Sequence, residues 1–335
     1  MYQATILALP YSLSSCITGL MDVLCATGID WNLPQQFMQK SAFDVKIVSL
    51  DGQPVKCINR MPIIPHCSLG EISDTDLIFI PSMGLHLRRD SQVSQYVLPW
   101  LHEHFEKGAS IAGLCTGSFI LAETGLLDGK DATTHWACAQ QFQERYPQVR
   151  LHPERIMTDA GRLFCSGGNY ACFDLAFYLI EKFCGYETAA SCAKTFVLDL
   201  DRTSQNPYVI FRAQKSHKDQ EILAVQEWLE VHYANIITLE EVANRAAMST
   251  RNFKRRFKKA TGDSLVVYLQ RLRVDAAKKE LENFQKSIEE IGYALGYENI
   301  GFFRKLFKRY TGLSPNHYRQ KLKNRQISNL APILT

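Results

Sequence analysis

Met248-Ser249-Thr250-Arg251-Asn252-Phe253-Lys254-Arg255-Arg256-Phe257-Lys258-Lys259-Ala260-Thr261-Gly262 is answered, about fifty positions on, by Tyr297-Glu298-Asn299-Ile300-Gly301-Phe302-Phe303-Arg304-Lys305-Leu306-Phe307-Lys308-Arg309-Tyr310-Thr311-Gly312. Phe253, Phe257, Lys258, Thr261, Gly262, Ser264 and Tyr268 each recur as the same residue type in the second copy. Within each copy two phenylalanines lie four apart, so they share one helix face and anchor it. Turning about that axis leaves Arg251, Lys254, Arg255 and Lys258 outside in copy one. In copy two it leaves Ile300, Gly301, Arg304, Lys305 and Lys308 outside. Upstream, Leu239, Val242, Ala243 and Ala246 are spaced to face inward, as are Ile288, Ile291, Gly292 and Leu295. Ala243 is small where two helices cross closely, and Gly296 offers a turn open to positive φ. A short helix, a tight turn and an exposed basic helix make a helix-turn-helix. Its cations can pair with guanine edges or neutralise phosphate, and the sequence does not divide those roles. An ordinary bundle with a solvated basic face would explain one copy, but two copies in register favour a DNA reader.

Around these copies the chain reads as helices at Gln220–Tyr233, Leu239–Ala246, Thr250–Lys259, Leu265–Asn283, Ile288–Leu295, Asn299–Arg309 and Pro315–Lys323. Leu265–Asn283 would span roughly 28 Å at about 1.5 Å per residue. That suits two recognition helices about one DNA turn, ~34 Å, apart. Charge divides the same way. The whole chain carries 38 basic and 34 acidic residues, with 20 of the basic and 13 of the acidic ones from Asp219 onward. Only that basic portion is suited to a polyanion.

The pattern Ile288-Glu289-Glu290-Ile291-Gly292-Tyr293-Ala294-Leu295-Gly296-Tyr297, with Phe303 to Pro315 after it, resembles the AraC/XylS-type DNA-binding domain over residues 220 to 323. Leu265 stands after Ser264 where the second copy has the more usual Pro315.

Before residue 200 the pattern changes. Thr5–Leu9, Val45–Leu50, Leu77–Ile80 and Ser110–Leu114 are short apolar runs, as strands buried on both faces of a parallel sheet would be. Helical segments at Gln92–Lys107, Ser118–Leu126 and Tyr170–Phe183 alternate with them or follow, which predicts an α/β layered domain. Gly113-Leu114-Cys115-Thr116-Gly117 runs from strand to helix, and its small residues allow a sharp turn that presents Cys115. A helix N-terminus would also favour its thiolate. His135 follows in Thr133-Thr134-His135-Trp136, and Asp22 lies on the first helix.

This arrangement resembles the ThiJ/PfpI-like, class I glutamine amidotransferase-like domain over residues 3 to 197, a flavodoxin-like α/β sandwich. The resemblance implies Cys115 as the elbow cysteine, His135 as the nearby histidine and Asp22 as the acid. Cys165-Ser166-Gly167-Gly168 matches a glycine-containing turn before the helix that holds Asp174. In enzymes of that superfamily a Gly-Gly pair after the fourth strand builds the oxyanion hole; here the place reads Pro81-Ser82-Met83-Gly84. Both halves together resemble GlxA-like regulators of the AraC family. The expected organisation is a sensing and dimerising domain over 1–198, a linker at 199–218 holding Asn206-Pro207, a reader domain over 219–325 and a tail at 326–335.

The reading that follows is a DNA-binding transcription regulator, an activator by resemblance. Its α/β domain would bind a small cytosolic metabolite between Asp22, Met83, Cys115 and His135, with no catalytic residues and no cofactor or metal. Double-stranded DNA, the effector and a second copy are the expected partners, and RNA polymerase is a further candidate. Two alternatives stay open: a cysteine-dependent hydrolase or amidase, and a thiol redox switch at an exposed Cys115. All ten cysteines lie between Cys16 and Cys192 without a CxxC pair, which speaks against zinc. Their thiols are expected to be mostly buried and free in a reducing cytosol. That expectation fits a chain with no basic leader and no apolar run near eighteen residues. Trp31, Trp100 and Trp136 are candidates for an aromatic box around an amine, or for simple packing. His102 and His104 are read as solvated.

Overall fold

The computed structural model describes residues 1–29, 40–84, 92–198, 202–211, 213–215 and 217–330, with the backbone alone at Ser94 and at 324–330. Trp31, parts of the expected linker and the last five residues of the expected tail lie outside the described residues. Two compact units divide the chain, Met1–Gln205 and Asn206–Thr335.

The first unit contains strands β1 (Tyr2–Leu7), β2 (Phe43–Ser49), β3 (Val55–Lys56), β4 (Pro62–Ile63), β5 (Cys67–Ser68), β6 (Leu77–Ile80), β7 (Ser110–Leu114), β8 (Asp131–Ala132), β9 (Arg150–Leu151), β10 (Met157–Asp159) and β11 (Leu163–Ser166). Its helices are α1 (Ser15–Cys25), α2 (Leu98–Glu106), α3 (Gly117–Glu123), α4 (Ala139–Arg145), α5 (Ala171–Cys184) and α6 (Tyr186–Phe196). Seven strands form one sheet in the order β10-β11-β7-β6-β1-β2-β5. Every neighbour is parallel except the β10–β11 edge pair. All residues of β6 and β7 are buried, as continuous apolar runs require when both faces are covered. One core packs Ile6, Phe79 and Phe164 against α1 and α5; the other packs Ile78, Ile111 and Cys165 against α2 and α3. This is the expected flavodoxin-like α/β sandwich. The helix expected over Gln92–Lys107 differs at its start, where a wide π-type turn at Val93–Val97 precedes α2.

The second unit contains α7 (Gln220–His232), α8 (Leu239–Arg245), α9 (Thr250–Thr261), α10 (Leu265–Glu280), α11 (Ile288–Ala294), α12 (Ile300–Thr311) and α13 (Pro315–Leu330). Asp219, Thr238, Ser249, Ser264, Ser287 and Asn299 each cap the next helix by accepting a backbone N–H in its first turn. Such a cap stabilises by about 1 kcal/mol, which matters most for the short helices α8 and α11. Two small cores fill the unit. Ile222, Val242, Phe253, Phe257 and Tyr268 build one; Ile291, Leu295, Phe303, Phe307 and Leu281 build the other. Helix α10 supplies both, Leu265 and Leu269 to the first and Val274 and Ala277 to the second. α13 continues to Leu330, past the residue 325 expected to end the domain.

The stretch expected as linker is divided between the units. Arg202 forms an ion pair with buried Asp174 (2.6 Å), and Gln205 is 2% exposed in the first unit. From Asn206 on, the chain belongs to the second unit: Phe211 packs on its core and its N–H donates to Asp275 Oδ1 (3.3 Å). Polar composition signalled a connection here, but these polar groups are anchored by specific partners.

Candidate nucleic-acid interface and effector domain

In the first reader, α8 ends in a turn at Ala247, whose φ is +50°, and α9 follows. In the second, α11 ends in the turn at Gly296, φ +80°, and α12 follows. Their closing bonds match: Met248 N donates to Ala243 O (2.9 Å), and Tyr297 N to Gly292 O (3.0 Å). Phe253, Phe257, Phe303 and Phe307 are fully buried and seat both basic helices. Arg251, Lys254, Arg255 and Lys258 are exposed, as are Gly301, Arg304, Lys305 and Lys308. Two of these are oriented by neighbours. Arg255 donates to Asn252 Oδ1 (2.9 Å), and Arg304 pairs with Glu289 of α11. Ile300 departs from the expectation. It is half-buried, because its Cδ1 fills the space left by Gly292, where a Cβ would lie 2.6 Å from it. Arg256 faces the other way and clamps Asp219 (2.6 Å) and Glu221 (2.7 Å), so it fixes α9 against α7.

In the first unit Cys115 sits at the end of β7 with φ +56°, the strained turn the sequence implies. A Cβ at Gly117 would lie 2.3 Å from Ile80 O, so only glycine lets the elbow approach β6. The thiol itself is not presented. Cys115 is 1% exposed, and burial pushes its pKa up to about 12 despite a bond to Ser82. A favourable helix end does not outweigh desolvation in this enclosed place. Its Sγ donates to Asn169 Oδ1 (3.1 Å), Ser82 Oγ lies 3.3 Å from the same atom, and Thr116 Oγ1 lies 3.2 Å from Ser82 Oγ. Met83 N donates to Thr116 Oγ1 (2.9 Å) and Gly84 N to Ser82 Oγ (3.3 Å).

Residues 242–321 match the helix-turn-helix domain family, and residues 25–182 match the DJ-1/PfpI family. Over 82% of its length the chain is 30% identical to the HTH-type transcriptional regulator CdhR of Pseudomonas aeruginosa, and it covers 81% of that protein. The chain belongs to the AraC-type HTH transcriptional regulators. The regulator is likewise 29% identical to GbdR of Pseudomonas aeruginosa strain UCBPP-PA14, over 82% of its own length and 74% of GbdR. A solved AraC family transcriptional regulator from Pseudomonas putida shares its fold over 58% of the regulator and 100% of that chain, at 20% identity and a TM-score of 0.50. This regulator is therefore a DNA-binding transcription regulator that carries a DJ-1/PfpI domain.

The regulator does not gather the expected effector set as drawn. Asp22 is exposed, and its charge acts on Cys25. Helix α1 buries Cys16, Ile17, Leu20, Val23 and Leu24, a stripe from which position 22 is turned away. Cys16 is the α1 residue at the elbow, its Sγ 3.7 Å from Asn169 O. Met83 is half-buried and receives Ser12 Oγ at 3.5 Å. His135 is half-buried, its Nδ1 accepting from Ala137 N (3.1 Å). His104 corrects the solvated reading. It is 1% exposed, its ring tilted against Trp100 with centroids 4.3 Å apart, and burial holds its pKa below the ordinary value. His102 is exposed. Trp136 lies in tilted contact with His135 while Trp100 faces a separate cavity, so these two do not build one box.

Ser82 and Thr116 stand inside motifs singled out for other residues, and Asn169 beside one. Gln205 carried no signal. Its side chain accepts from Gly168 N (2.9 Å) and donates to Thr134 O (2.8 Å), Pro153 O (3.0 Å) and Arg155 O (3.0 Å). The cavity beside Trp100, about 1040 Å³, was also missed, because its wall comes from loops distant in sequence.

Proposed function

We propose that Arg251, Lys254, Arg255 and Lys258 on α9, with Gly301, Arg304, Lys305 and Lys308 on α12, read two neighbouring grooves of double-stranded DNA. The observation that carries this is the pair of basic helices seated by buried phenylalanines, each with its cations left in solvent. Ile300 contributes to seating rather than reading. The first unit binds a small cytosolic metabolite and pairs two copies, and ligand occupancy shifts the regulator between states of different operator affinity. The protein acts in the cytoplasm as an activator, with RNA polymerase as its downstream partner. No helix among the described residues is long and apolar enough to cross a membrane.

The first unit senses rather than catalyses. A protonated, enclosed Cys115 is a poor nucleophile and a poor peroxide target. The amides of Met83 and Gly84, where an oxyanion hole would form, already have protein acceptors. Fluorescence anisotropy with labelled promoter DNA from the gene's own neighbourhood tests the DNA reading. Tight binding at low salt that falls steeply as salt rises is the expected result. Absence of any rise in anisotropy at low salt would overturn it.

A further inference from the structure

The cavity of about 1040 Å³ in the first unit opens beside the loop after β1 and is separate from the cysteine elbow. Tyr11, Ile58, Tyr96 and Trp100 give it an apolar, largely aromatic wall. Tyr11 and Tyr96 are 56% and 54% exposed, a large apolar surface to leave facing water. Lys56 and Arg60 line the same space from the β3–β4 hairpin. Among the described residues neither cation has an ion-pair partner. Among the described lining residues Asp51 is the single acid, and its Oδ1 is engaged by Gln53 N (3.0 Å).

The backbone supports a built site. Tyr11 and Arg60 both hold positive φ, +66° and +68°, a left-handed backbone that non-glycine residues adopt only when the surrounding structure imposes it. Such strain collects where a structure must present particular side chains. Here it is held by Tyr11 N donating to Lys56 O (3.2 Å) and Ile58 N donating to Ser12 O (3.1 Å). The same loop reaches the elbow, since Leu13 N donates to Ser82 O (2.8 Å). Two cations with no ion-pair partner among the described residues, facing an aromatic wall, select an anion with an apolar body. A simple amine would meet like charge.

We propose that this cavity is the effector site, and that it binds small carboxylic acids whose apolar body lies on Tyr11, Tyr96 and Trp100 while the carboxylate meets Arg60 and Lys56. This rests on the sensing role proposed for the first unit. Calorimetric titration of the full-length protein with phenylacetate, octanoate and, as neutral and cationic controls, phenylacetamide and phenethylamine tests it. At least one acid should bind ten times or more tightly than either control, and the Arg60→Ala, Lys56→Ala double variant should lose that preference. A Trp100→Ala variant should bind the acid several-fold more weakly. No binding by either acid, equal binding by the amide or the amine, or an unchanged preference in the double variant would overturn the proposal. DNA affinity measured with and without the bound acid is a separate readout. Binding with no change in DNA affinity would leave the site standing and remove the sensing role.

Discussion

Ala247 and Gly296 occupy the same point of the two reader turns, and both are left-handed, with φ of +50° and +80°. The first turn thus holds an alanine in a conformation that costs an L-residue about 1–2 kcal/mol, partly offset by glycine's own entropy cost of about 0.5–1. Ala247→Gly should raise stability by several tenths of a kcal/mol to about 1, read as a small increase in Tm. Gly296→Ala should do the reverse and more strongly, because its Cβ would lie 2.1 Å from Ala234 O. Equal tolerance at the two positions in thermal melts would contradict this.

Arg255→Ala and Lys305→Ala separate base reading from phosphate neutralisation. Loss of a guanine contact should cost about 1–3 kcal/mol and relax specificity at one position, whereas loss of a phosphate contact should lower the salt slope by about 1. Arg256→Ala should act otherwise. It frees Asp219 and Glu221, loosens α9 from α7, and lowers Tm before it alters any base preference. Anisotropy at several salt concentrations, beside melting curves, distinguishes the three.

Cys115 and Cys165 are both pushed up to about 12 by burial, against an ordinary 9.0. Well below pH ~9 both thiols are protonated folded or unfolded, so they add no pH dependence there. Above it the unfolded chain loses protons that the folded chain keeps. Stability should therefore decline as pH rises from about 9 towards 12. Iodoacetamide at pH 8 should leave Cys115 unlabelled in the native protein and label it after denaturation, as read by peptide mass spectrometry.

Gln205 and Gly167 should behave as one unit. Gln205→Ala leaves Gly168 N and several carbonyls buried without this partner, a loss of about 3–5 kcal/mol if each costs about 1–3 and the site partly relaxes. Gly167→Ala alone forces its Cβ to within 2.2 Å of Gln205 Cδ. The double variant should be less damaged than the sum, because removing Gln205 removes the clash. Additive urea-denaturation energies would show that the two residues do not interact.

How much of this could be read from the residues follows from how local each signal is. The readers were legible because Phe253, Phe257, Phe303 and Phe307 act within one helix, where spacing alone decides which side is buried. Apolar runs such as Leu77–Ile80 exposed the sheet for a similar reason. The antiparallel edge at β10 and the cavity at Trp100 depend on segments far apart in sequence, so periodicity could not find them. Asp22 misled because the resemblance supplies an acid on the first helix, while the stripe through Cys16 and Leu20 turns position 22 outward. Ile300 misled because Gly292 makes room for it, a fact held by a different helix. Gln205 lay in a polar stretch, and polarity does not distinguish a solvated residue from one whose every donor is met inside.

Helix α10 lends its first half to one hydrophobic cluster and its second half to the other. Over 16 residues it runs about 24 Å and has no interior glycine or proline at which to bend. The two repeats are consequently not separable beads. A break within residues 265–280 would strip a wall from both, and neither copy could be excised to work alone. Damage to either cluster is felt by its twin, and the interval between the two basic helices is written into the protein as the length of a single rod.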